Sequence, residues 1–161
     1  MGSGTVRARV TFRRGGRVLE RCDSGAREWN ARTTGAASPP GASFYGLTSQ
    51  AARPFPFVLS VGGSRVRVAA FGYRMACRRG GFEWQNVTPG GPIASDGTFS
   101  LRERFSRSWE QGRERFRVKV DGQVTATRVD GTVSVSSILR SRSGRVIDRC
   151  TTGRRTFAAV P

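Results

Sequence analysis

The sequence predicts an all-β fold, an antiparallel β-sandwich or jelly-roll-like arrangement of about eight to ten short strands. Three observations carry that expectation. Apolar and polar residues alternate with period two in stretch after stretch, the pattern of half-buried strands. Glycine is abundant, at 21 of 161 residues, and recurs between those stretches where tight turns need it. Long runs of the helix formers Ala, Leu, Glu and Lys are missing, and 10 of the aromatic residues are phenylalanine.

In chain order, Val6, Ala8, Val10 and Phe12 alternate with Arg7, Arg9, Thr11 and Arg13 as a first strand. The decapeptide Gly16–Gly25, GRVLERCDSG, follows, and Gly144–Gly153, GRVIDRCTTG, nearly repeats it. The match extends outward: Gly4-Thr5-Val6 falls on Gly131-Thr132-Val133, Trp29 on Phe157 and Ala31 on Ala159, with one residue inserted between the halves. Both copies read as strand, glycine turn, strand, cysteine, turn, aromatic. Residues 4–32 are therefore expected to form a β-hairpin that repeats the C-terminal one. It is either docked as extra strands or the closing piece of a preceding domain. Residues 33–42, rich in Thr, Ala, Pro and Gly, read as a linker, and 43–161 as the β-sandwich domain.

Within that domain Phe55–Val61 reads as a strand ending at the Gly62-Gly63 turn. Arg65–Tyr73 follows, with Val66, Val68 and Ala70 opposed to Arg65, Arg67 and Ala69. Phe82–Val87 lies between an Arg78–Gly81 turn and a break at Gly90-Gly91-Pro92. Ser95–Gly97 turns into a strand that puts Phe99, Leu101, Glu103 and Phe105 on one face and Ser100, Arg102 and Arg104 on the other. Only Arg107–Glu114 has any helical character, and Gly112 opposes it. Arg113–Val129 reads as a hairpin about Asp121-Gly122, and Asp130-Gly131 repeats that turn signal. The expected core is Phe57, Leu59, Val66, Val68, Phe99, Leu101, Phe116, Val118, Val133 and Val135.

Charge is the other strong feature. Basic residues number 28 against 11 acidic, a formal charge of +17, and all but Lys119 are arginine. Arg113, Arg115, Arg117 and Lys119 alternate along one strand and must leave it on one side. Arg102 and Arg104 do the same on the strand expected beside it. Like charges facing across strands are mildly destabilising, so acidic neighbours, solvent or an anionic ligand should compensate. The plain reading is a solvated outer face. The functional reading is an anion-binding surface of Arg102, Arg104, Arg113, Arg115, Arg117 and Lys119, for an anionic polysaccharide, a wall polymer or a nucleic acid. Bases would want aromatic rings on that same face, and Phe105 and Phe116 have the opposite parity. Tyr45, Trp84 and Trp109 are candidates for sugar stacking.

Catalysis is poorly provided for. With no histidine in the chain, neither a Ser-His-Asp triad nor a histidine metal site can be built. Cys22, Cys77 and Cys150 lack zinc-ligand spacing, and Glu83, Asp96, Glu103 and Glu110 are the candidates for a carboxylate pair, although no cluster of acids lies at alternate positions of one strand. Gly62-Gly63-Ser64 and Gly90-Gly91-Pro92 lack the pattern of a phosphate loop. The expectation is a non-enzyme with no cofactor and no metal. No apolar run is long enough to span a membrane, and no apolar export segment follows Met1.

Tyr45-Gly46-Leu47-Thr48-Ser49, Cys77, Ser95-Asp96-Gly97-Thr98-Phe99, the valine-rich hairpin and Cys150-Thr151-Thr152-Gly153 with its downstream aromatic together resemble an uncharacterised β-rich, cysteine-containing domain of secreted actinobacterial proteins. The resemblance covers about Phe44–Ala159 and transfers no catalytic residue. It implies an extracellular or cell-surface protein in which neighbouring copies of the domain are possible partners. With the charge pattern, the expected function is a non-catalytic structural or binding module, with charge-driven nucleic-acid binding as the alternative. The resemblance also implies a Cys77–Cys150 disulfide, leaving Cys22 free or paired between chains. The rival pairing is Cys22–Cys77.

Overall fold

The structure of the chain is a computed structural model. It describes residues 2–7, 9–14, 17–23, 25–31, 41–50, 54–78 and 80–161; before residue 32 it describes the side chains of Thr5, Arg7, Arg21, Asp23, Gly25 and Ala26 alone. The expected linker therefore lies almost wholly outside the described residues, as do the side chains of Val6, Val10 and Phe12. The chain divides into two compact units, Met1–Gly35 and Ala36–Pro161.

The first unit holds β1 (Gly2–Val6), β2 (Arg9–Arg14), β3 (Arg17–Asp23) and β4 (Arg27–Ala31). β2 pairs with β3 and β1 with β4, both antiparallel.

The second unit is all-β and antiparallel: β5 (Ser43–Thr48), β6 (Phe55–Gly62), β7 (Arg65–Cys77), β8 (Gly80–Pro92), β9 (Thr98–Trp109), β10 (Gly112–Val124), β11 (Val129–Ser141), β12 (Val146–Thr151) and β13 (Arg155–Val160). These nine strands make one sheet bent round on itself rather than two separate sheets. β10 covers one edge of β11 along its whole length. Its other edge takes β13 from Val129 to Val133 and β12 from Ser136 to Arg140. β7 is used the same way, with β8 along one edge and, on the other, β6 up to Phe71 and β12 at Ala76 and Cys77. At one end β7 and β11 are thus joined through β6, β5 and β13, and at the other through β12 alone. On the far side, β8 and β9 meet at a single bridge, Ile93 to Phe99.

Alternation decides what this ring encloses. On β10 every second residue from Gly112 to Val120 is buried and every other one exposed. The interior is lined by Phe44, Phe57, Leu59, Phe71, Phe99, Leu101, Phe116 and the valines of β10 and β11, with Phe57 stacked on Phe157 at 3.8 Å between ring centroids. Nine of the ten expected core residues are buried; Val68 is partly exposed. Between Val66 and Val68, which pair with Val61 and Ser60, Arg67 is an extra residue. This bulge reverses the parity, so Ala69 rather than Val68 or Ala70 turns inward.

The structure also moves three turns. Arg107–Glu114 contains no helix: β9 and β10 meet in a tight hairpin at Glu110-Gln111. β8 runs straight through Gly90-Gly91-Pro92. Asp121-Gly122 and Asp130-Gly131 are not turns but opposing strand positions, and the reversal comes at Thr125–Arg128. Both glycines are there for space. A Cβ on Gly122 would meet the Phe99 ring at 2.7 Å, and one on Gly131 the Asp121 carbonyl at 2.1 Å and the Phe157 ring at 2.6 Å.

Cys77 and Cys150 stand opposite each other where β12 meets β7, and they are joined as a disulfide. The side chain of Cys22 lies outside the described residues. Because the bond closes a loop with a sequence separation of 73, replacing both cysteines by serine should cost about 4 kcal/mol of unfolding free energy in the chain-entropy picture. Urea titration of the oxidised protein and the double variant measures it; equal midpoints would show that the bond holds nothing in place.

Candidate functional site

The six basic residues read from the sequence all stand exposed on the outer face of β9 and β10. Register sets them in rows. Arg104 lies opposite Arg117 and Arg102 opposite Lys119; Arg115 faces Ser106 and Arg113 faces Ser108. The next strand extends each row: Ser134 beside Lys119, Ser136 beside Arg117, Ile138 beside Arg115 and Arg140 beside Arg113. The result is a basic surface edged by short hydroxyl side chains. A shallow depression of about 420 Å³ on it is lined in part by Arg104, Arg115, Arg117, Arg140, Ser106 and Ser136.

Compensation of these charges is uneven. At one end the Asp121 carboxylate takes Arg102 at 2.9 Å and Lys119 at 2.7 Å and accepts from the Ser100 hydroxyl at 2.7 Å. Partial burial alone would raise the Asp121 pKa. The bonds from Lys119, Ser100 and Arg102 outweigh it and hold the group at about 2, so it stays ionised at any ordinary pH. Arg113 gives its hydrogen bonds to the Ser106 hydroxyl, and Arg140 donates to the Gly144 carbonyl at 2.9 Å. Arg104, Arg115 and Arg117 have no carboxylate within ion-pair distance among the described residues.

A second constellation lies at the β12 end of the ring. Trp84 of β8 and Trp109 of β9 are 40% and 42% exposed and share the lining of a cavity of about 370 Å³ with Arg107, Gln111, Glu114 and the Cys77–Cys150 bond. Glu114 has the parity of Phe116 and is buried. Its carboxylate accepts from the Trp109 indole N–H at 2.9 Å and from the Ser137 hydroxyl. Arg107 lies over the Trp84 ring, 4.1 Å from its centroid. Nearby, Asn86 donates to Glu103 at 2.9 Å, tying β8 to β9 where no ladder joins them. Tyr45 is elsewhere, exposed on β5 opposite Val160 of β13, so the three expected sugar-stacking rings are not brought together.

Of the four acids read from the sequence, Asp96 caps its own turn through Thr98, and Glu103 accepts from Asn86. Among the described residues the one grouping with metal-donor atoms is Cys77, Asp148 and Cys150, and its two sulfurs are bonded to each other. Arg140, Ser134 and Ser136 were missed by sequence reasoning, since a turn at Asp121-Gly122 would have put residues 123–129 beside β10 in place of β11.

Compared with known protein families, curated proteins and solved structures, the chain matches none.

Tyr73, wholly buried on β7 with its hydroxyl unpaired among the described residues, gives the interior a spectroscopic probe. Burial raises its pKa, Arg107 opposes, and Glu114 and Glu103 add to the rise, which ends at about 12. A folded-state pKa above the unfolded value of 10.0 means stability is full below pH 10 and lost as pH climbs towards 12. Ultraviolet titration should therefore show one phenol ionising about two units late. Loss of that step in Tyr73→Phe assigns it, and a normal titration of both tyrosines would contradict this packing.

Proposed function

We propose that the Ala36–Pro161 unit is a non-catalytic binding module whose β9–β10–β11 face holds an anionic polymer, with an acidic polysaccharide of the cell surface or wall as the best-fitting ligand. The carrying observation is that Arg104, Arg115 and Arg117 stand exposed on adjacent strands without a carboxylate within ion-pair distance among the described residues. Asp121 is shared by the neighbouring Arg102 and Lys119 and offsets one of their two charges. Guanidinium groups at alternate strand positions recur about every 6–7 Å, and each can fork onto a carboxylate, sulfate or phosphate.

Polysaccharide is favoured over nucleic acid by what the face lacks. Phe105 and Phe116 reach the depression among the arginines but stack on each other at 4.7 Å with inward parity, Phe116 buried and Phe105 partly buried, so neither stands out from the face as a platform for bases. A disulfide suits an oxidising compartment, which supports an extracellular setting. No helix among the described residues is long and apolar enough to cross a membrane.

The test is titration of the protein and of an Arg104→Ser, Arg115→Ser, Arg117→Ser variant with a sulfated or uronic-acid polysaccharide and with duplex DNA at several salt concentrations. The variant should keep its thermal midpoint, since exposed side chains are replaced, and bind the polysaccharide at least tenfold more weakly with a shallower salt dependence. Unchanged binding would sink the assignment of the face. Tighter binding to DNA than to either polysaccharide at about 150 mM salt would transfer the face to nucleic acid.

A further inference from the structure

The two near-identical stretches do more than resemble each other. Their strands pair in the same register. Gly2 opposes Ala31 as Val129 opposes Ala159, Gly4 opposes Trp29 as Gly131 opposes Phe157, and Val6 opposes Arg27 as Val133 opposes Arg155. Farther along, Val10 opposes Cys22 as Ser137 opposes Cys150, and Phe12 opposes Glu20 as Leu139 opposes Asp148. Both ladders then shift register at the same place, between Phe12 and Arg13 and between Leu139 and Arg140. Even the turns agree. Gly25 and Gly153 have φ of 67° and 64°, and each donates its N–H to the side-chain oxygen two residues before, on Asp23 and on Thr151.

In the second unit this trio of strands does one job: it closes the ring. β11 takes β10 along its free edge, β13 takes β5, and β12 takes the end of β7 with a disulfide. In Met1–Gly35 the ladders among the described residues are two-stranded, so the edges equivalent to those three contacts carry no strand. β11 is continuous where β10 supports it, whereas its counterpart is interrupted at Arg7 between β1 and β2. The sequence keeps the inward positions apolar too: Val133, Val135 and Phe157 correspond to Val6, Ala8 and Trp29. Two-stranded ribbons are marginal in water, and open edges take strands.

We propose that Met1–Gly35 is the closing trio of a second ring of this same fold, and that its partner is a polypeptide segment equivalent to β5–β10 with a cysteine at the end of its β7-like strand. Strand pairing seats the segment, and Cys22 then bonds that cysteine. Two thiols lose two protons and two electrons to a disulfide oxidant, which leaves as two thiols. The inference is independent of the arginine face.

A chain that repeats residues 36–127 immediately before Met1 tests it, because the register places Met1 where Arg128 follows Thr127. The chimera is refolded with oxidised glutathione, and the original barrel reports on folding through its own Cys77–Cys150 bond. Peptide mapping should find Cys22 joined to the added copy's Cys77, and amides of residues 2–31 should exchange at least tenfold more slowly than in the unextended protein. Cys22→Ser in the chimera should lose the bond and keep the slow exchange. An alkylatable Cys22, an added segment that stays protease-sensitive beside an intact original barrel, or protection that vanishes in Cys22→Ser would each overturn the proposal.

Discussion

The nine-stranded sheet depends on β12. It is six residues long, yet it alone joins β11 to β7 at one end of the ring, a gap that three strands fill at the other. Its ladder to β7 has two residue pairs, and one of them is the disulfide-bonded Cys77–Cys150. A covalent bond sits where hydrogen bonding is thinnest. Without that junction β7 and β11 would part at this end and open the interior beside the buried Glu114 to water.

Closure also explains where the charge goes. A sheet closed on itself has one inside, and apolar side chains fill it, so the arginines at alternate positions of β9 and β10 have only the outside to occupy. One acidic residue, Asp121, is placed to relieve the crowding at one end of the face. The other end keeps its excess positive potential, which binding an anionic chain would offset.

Local parity made much of this legible in the sequence. The outward arginines and the inward Phe99, Leu101, Phe116 and Val118 follow from period two alone, and the β9–β10 pairing follows once Arg107–Gly112 is taken as a short connection. Glu114 carried the same signal, two residues from Phe116 on the inward side, although its indole and hydroxyl partners come from neighbouring positions that only the fold assembles. Glycine misled because it serves two ends. At Gly63 it makes a turn with φ of 60°, whereas at Gly122 and Gly131 it clears room for phenylalanine rings. A bulge at Arg67 leaves no mark in composition, so Val68 read as core. The Cys77–Cys150 pairing, implied by resemblance and not by spacing, is present. The repeat was visible as letters, but its shared register and shared bulge belong to the structure.

Amide hydrogen exchange along β12, with and without reductant, tests the dependence on this junction most directly. With the disulfide intact, residues 148–151 should be protected to a degree comparable with the middle of β10. Reduction should release them and the end of β7 first, while β9 and β10 stay slow. If β12 exchanges freely in the oxidised protein, or if reduction leaves its protection unchanged, the ring is held closed by something else.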